Sequence, residues 1–212
     1  MNKHFILAIL VMLATLANAE TPSPNFPFPD QSWKSTMKIA PTAGIKMGSL
    51  SVNFENTTLD DVLNAAKLGQ IMHQGDASES EYWLCFTDLS STPVQRIWIT
   101  SHGEMGGSEH AVTSVSAKLI KNEKISADCP ALPNHLKPVL LSSKFWLNSP
   151  EKALLKKLGR PSYKYKNLRS FDFAGKVSGD CEPDGFDLTN WLVVEIKKGR
   201  ISSLDAGQVT SC

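Results

Sequence analysis

The N-terminal stretch decides the environment in which this chain folds, and through it what can hold the fold together. Lys3 gives a short positive start, residues 5–16 form the apolar run FILAILVMLATL, and Ala17-Asn18-Ala19 places small residues at the two positions a signal peptidase reads. This pattern predicts a secretory signal peptide over residues 1–19, cleaved between Ala19 and Glu20. The apolar run is shorter than the roughly 20 residues a spanning helix needs, which argues against a retained anchor. No cysteine stands at the cleavage point to carry a lipid. The expected location is exported, periplasmic or secreted, with no stable membrane insertion after cleavage.

Export changes how the cysteines read. Cys85, Cys129, Cys181 and Cys212 remain after cleavage. An even number of thiols in an exported chain predicts disulfides, and four thiols allow three pairings. Two fall in each half, so the simplest pairing is Cys85 with Cys129 and Cys181 with Cys212. In the chain-entropy model each such loop closure contributes about 4 kcal/mol. There is no CxxC pair and no Cys/His cluster at zinc spacing, which argues against structural zinc and against thiol redox chemistry. Loss of Lys3 takes the formal charge from +1 to neutral, so no electrostatic footprint for nucleic acid or anionic lipid is expected.

The periodicity predicts an α+β fold built as two tandem units, each a short helix packed on a three- to four-stranded antiparallel sheet. Residues 20–46 form a Pro-rich leader, and prolines at this density exclude regular helix. The first unit spans 47–129. Thr57 or Thr58 caps a helix whose first turn holds Asp60 and Asp61, whose apolar face is Leu59, Val62, Leu63 and Ala66, and which Gly69 stops. Strand-like runs follow at Tyr82–Phe86, Arg96–Thr100 and Ala111–Leu119. Residues 130–142 form a connector punctuated by Pro130, Pro133 and Pro138. The pattern then recurs over 143–212, where Ser149 caps, Pro150 opens and Gly159 ends a second helix. Strands follow at Arg169–Phe173, Trp191–Ile196 and Arg200–Leu204, with a tight turn at Lys198-Gly199. Neither helix can bury its stripe alone, and a sheet beneath it meets that need.

The second half also carries a resemblance. The run from Leu147 through Ser149-Pro150-Glu151 to Leu158-Gly159-Arg160-Pro161 resembles the helix-then-"LG.P" signature of small outer-membrane assembly lipoproteins of the SmpA/OmlA (BamE) type, and Trp191 to Ile201 resembles their closing hairpin. A tandem of two such units, each with a disulfide and exported without a lipid, is similar to the β-lactamase-inhibitor-protein architecture. That resemblance implies a pair of α/β sandwiches presenting loops from a curved sheet to a protein partner.

Two loops are the candidate partner contacts. Residues 101–110 lie between two predicted strands and contain His102, Glu104, Met105, Glu109 and His110; glycines there make a permissive hairpin tip. Residues 180–187 carry Asp180, Glu182, Asp184 and Asp187. The acids at loop positions one, three and five, with Gly185 at six, open like a calcium loop, but Trp191 stands where the closing bidentate acid belongs. No cofactor is expected, with calcium at this loop as the one option. The tryptophans Trp83, Trp98, Trp146 and Trp191 are expected as core anchors. His73, Asp76, Ser78 and Ser80 read as a solvated loop. No phosphate-cradling loop, nucleophile elbow, zincin helix or dinucleotide fingerprint is present. The reading is therefore a non-enzymatic exported binding protein, an inhibitor or immunity-type factor. The alternatives are an envelope assembly or maintenance factor and a hydrolase using His102, Glu104 and His110.

Overall fold

The computed structural model describes residues 35–76, 79–107, 109–121, 125–181 and 185–212. The expected signal peptide, the leader before residue 35, and Ser78, Glu182 and Asp184 lie outside the described residues. The fold is α+β, with two helices and two antiparallel sheets. The elements are β1 (Gly44–Met47), β2 (Leu50–Asn53), α1 (Leu59–Ala66), β3 (Met72–Gln74), β4 (Glu81–Asp88), β5 (Val94–His102), β6 (Ser114–Ile120), β7 (Val139–Leu141), α2 (Glu151–Leu158), β8 (Tyr163–Tyr165), β9 (Leu168–Val177), β10 (Phe186–Lys197) and β11 (Arg200–Ser211).

The large sheet has eight strands in the order β3-β4-β5-β6-β11-β10-β9-β8, and the small one three, β2-β1-β7. Strands β3 to β6 are sequential neighbours, as are β8 to β11, and the two runs join where β6 pairs β11. The strands of both expected units therefore lie in one continuous sheet, with four strands following each helix. β1 begins inside the expected leader and β7 inside the expected connector. Together they hold β2 against the main body, because residues 45–47 pair with both Val52–Leu50 and Leu141–Val139.

The local reasons for the helices differ from the expectation in two places. α1 starts with a capping box: Thr58 Oγ1 accepts from the Asp61 N–H at 3.1 Å, and the Asp61 carboxylate accepts from the Thr58 N–H at 2.9 Å. It ends at Lys67, which takes the left-handed conformation (φ 56°), two residues before Gly69. Ala66 is its last buried residue and Leu68 is 37% exposed, so another turn would bury nothing. α2 has no side-chain cap, and Pro150 rather than Ser149 occupies the cap position. The Ser149 hydroxyl instead accepts from the Trp146 N–H at 3.1 Å in the preceding turn. Gly159 closes α2 as expected.

Alternation gives the large sheet two chemically distinct faces. One carries Leu84, Phe86, Ile97, Ile99, Val115, Ala117, Leu192, Val194, Leu204 and Ala206. These join Leu59 and Val62 of α1, Leu154 of α2, and Ile45, Met47, Val52 and Leu141 of the small sheet in one apolar core. The opposite face carries Trp83, Cys85 and Trp98, which with Cys129 form a second cluster, and a row of polar side chains. Cys85 is bonded to Cys129, and Cys181 to Cys212. No helix among the described residues is long and apolar enough to cross a membrane.

Candidate functional site

Strand register places the two candidate loops at the same end of the large sheet. His102, the end of β5, lies opposite Glu81, the start of β4. Ser114, the start of β6, lies opposite Gly207, and β11 runs on to Ser211 opposite Asp187 near the start of β10. Val177, the end of β9, faces Phe186. The β5–β6 connection (103–113), the β9–β10 connection (178–185), the β3–β4 connection (75–80) and the C-terminus therefore all emerge at one end. Only β11 separates β6 from β10, so the two candidate loops spring from strands about 10 Å apart. The Cys181–Cys212 disulfide ties the β9–β10 connection to the chain end at this same edge.

Within the first loop the structure sorts the expected residues into separate surroundings. Residues 103–106, including Glu104, form a 3-10 turn, and Met105 in it is 48% exposed. Its return is anchored to α1: the Leu59 N–H donates to His110 O at 3.0 Å and the Val112 N–H to Thr57 O at 2.8 Å. His110 stacks on Tyr82, which stacks on His73 in turn, with ring centroids 3.9 and 4.3 Å apart. His102 does not join them. It lies opposite Glu81 in the register, one residue from Tyr82, so it points to the other face. There His102 Nε2 is 3.0 Å from Ser114 Oγ, and Nδ1 is 3.6 Å from Glu81 Oε1. Gln74 Nε2 donates to the other Glu81 oxygen at 2.6 Å. Glu109 is exposed. In the second loop Asp187 pairs with Lys176 at 3.0 Å on the surface.

The Glu81–His102–Ser114 row has the connectivity of a nucleophile, base and orienting acid. Burial shapes each of its members differently. Burial holds the His102 imidazole below its usual range and pushes the Glu81 carboxyl up, against the pull of Gln74. Ser114 is only 2% exposed, so a substrate carbonyl has little access to its hydroxyl. Sequence reasoning missed this row because its members are separated along the chain and meet only through strand pairing.

The same face holds two buried acids, Asp205 on the inner strand β11 and Asp172 on β9 beside the edge strand. Asp205 accepts from Trp191 Nε1 at 2.6 Å and from the Ser116 hydroxyl. Burial is the main cause that pushes its pKa up to about 6; those two bonds oppose the rise and the charge of Glu81 adds to it. Asp172 is raised to about 6 by burial, against the pull of the Ser170 hydroxyl that donates to it at 2.8 Å. Trp191 reaches Asp205 because its ring lies over Gly207, where any Cβ would stand 2.3 Å from the indole. Trp191 is thus half-buried and hydrogen-bonded, whereas Trp83, Trp98 and Trp146 are buried as expected. Among the described residues no three His, Cys, Asp or Glu side chains gather as metal ligands. Comparison with known proteins returns no matching family model, no matching curated protein and no matching solved structure.

Proposed function

We propose that this chain is an exported binding protein that engages a protein partner through the loops at one end of its large sheet, as an inhibitor or immunity-type factor. One observation carries the reading: the strand register brings the 103–113 and 178–185 connections to the same end, where the first is anchored to α1 and the second to the C-terminus by a disulfide. Loops held by a rigid scaffold lose little entropy on binding, which is what a tight recognition surface needs. Two disulfides suit folding in an oxidising compartment, in keeping with the signal-like N-terminus. On this reading α1 with β3–β6 and α2 with β8–β11 are two copies of one plan, fused through β6 and β11, in the manner of the β-lactamase-inhibitor-protein architecture.

The reading predicts a stoichiometric complex with one envelope or extracellular protein. The test compares the wild-type chain with a Met105→Glu, Asp187→Lys variant as bait in an envelope extract. Both side chains are exposed, so the fold should survive the change. Retention of one partner by wild type and its loss by the variant is the expected result. Equal retention, or recovery of outer-membrane assembly machinery by both, would favour the envelope-maintenance alternative. The hydrolase alternative is served by the Glu81–His102–Ser114 row. It requires a hydrolytic activity that Ser114→Ala abolishes, and we expect no such activity.

A further inference from the structure

The helix side of the molecule holds a groove of about 1670 Å³ walled by residues 36–43, the C-terminal half of α2 and β8. Small-molecule sites span about 300–1,000 Å³, so this one is large for a metabolite and suits a stretch of polypeptide. Its charge is one-sided. Lys38, Lys157, Arg160, Lys164 and Arg169 line it, against Glu151 as the one lining acid among the described residues. Glu151 is already committed to Arg169, at 2.7 Å. Lys157 donates to Ser143 O at 2.6 Å and lies over the Phe145 ring, and neither contact is an anion. In a chain whose formal charge is only +1, this is a local concentration of positive potential.

The groove also offers apolar contact. Leu155 and Leu158 line its wall, and Ile39 on the facing segment is 76% exposed. β8, which lends Tyr163 and Lys164 to the lining, is the last strand of the large sheet, so among the described residues no strand lies along its outer side. Basic side chains around an apolar floor next to an edge strand match an extended acidic segment with interspersed apolar residues. A bilayer is a broad surface and cannot follow a concave wall down to Leu155.

We infer that this groove is a second docking site, one that takes an extended acidic segment of a protein partner. It lies apart from the loop end of the sheet, so either site can fail without the other.

The test measures fluorescence anisotropy of a labelled peptide of alternating glutamate and leucine, with an alternating lysine and leucine peptide as the control. The acidic peptide should bind the wild-type protein. Raising salt from about 0.05 M to about 0.5 M should weaken that binding several-fold, because screening shortens the reach of the cations. Arg160→Glu with Lys164→Glu, both exposed positions, should weaken it at least tenfold, and Ile39→Asp several-fold. Equal affinity in wild type and the Arg160/Lys164 variant would overturn the proposal. So would tighter binding of the basic peptide, or flotation with phosphatidylglycerol vesicles in place of peptide binding.

Discussion

The two helices cover the same sheet but are held to it by different means. α1 buries Leu59, Val62 and Ala66 and carries a reciprocal cap. α2 has the same eight-residue length, buries only Leu154 and has no side-chain cap. Both helix starts are tied to neighbouring chain, α1 by the Leu59 N–H to His110 O bond at 3.0 Å and α2 by the Glu151 N–H to Gly199 O bond at 2.9 Å; what α2 adds is the Glu151–Arg169 ion pair. Its exposed face is correspondingly rich in lysine. The lesson is that a helix anchored at its N-terminus and by one leucine has most of its surface left for another use, whereas α1 spends its surface on the core.

This contrast can be broken experimentally. The largest effects should come from the disulfides. Loop lengths of 44 and 31 residues predict about 4 kcal/mol for either in the chain-entropy model, so length alone makes the halves equal. Cys85 and Cys129 are buried beside Trp83 and Trp98, whereas Cys212 is exposed. Denaturant midpoints should therefore fall further for Cys85→Ala with Cys129→Ala than for Cys181→Ala with Cys212→Ala. The reverse order would mean that the second half is the more tightly built.

Next in size is Leu154→Ala, expected to cost about 3 kcal/mol. Val62→Ala in α1 should cost less, since Leu59 and Ala66 share the load there. A smaller loss at Leu154 would show that the strand ties alone hold α2.

The buried acids sharpen the comparison from the other face, because both Asp172 and Asp205 belong to second-half strands. Each has its folded pKa raised to about 6 from 3.8. The folded state therefore holds their protons more tightly than the unfolded chain does. Their contribution to stability is full below about pH 4 and is lost as pH rises through 6. Urea unfolding of Asp205→Asn should show a weaker decline than wild type between pH 4 and 7, and a higher stability at pH 7. An unchanged pH profile would mean that Asp205 is hydrated. The smallest change should be Thr58→Ala, at about 1 kcal/mol, from loss of the α1 cap; Ser149→Ala should leave α2 without any capping loss.

What the sequence disclosed was local. The helical spacing of Leu59, Val62 and Ala66, a cap at Thr57 or Thr58, and the Lys198-Gly199 turn, with φ of 52° and 72°, are all written within a few residues. The strand-like run Tyr82–Phe86 is local too, but its residues are all apolar and do not mark its two faces. What it hid depends on distant pairing. β1 and β7 are only four and three residues long and have no periodicity to read until they meet. The union of β6 with β11, through pairs such as Ser116 with Asp205, spans 89 residues, and no local pattern foretells it. The same holds for the candidate surfaces. His102 and His110 look like neighbours in sequence, yet strand alternation turns them to opposite faces. The 101–110 and 180–187 loops look unrelated until the register sets them at one end.

The most direct test of the loop-end account is site-specific photo-crosslinking in an envelope extract. A photoreactive residue is placed at Met105, at Asp187, and at Lys198 at the opposite end of the sheet. The account predicts one protein adduct of the same mass from Met105 and Asp187 and none from Lys198. An adduct from Lys198 alone, or no adduct from either loop, would contradict it.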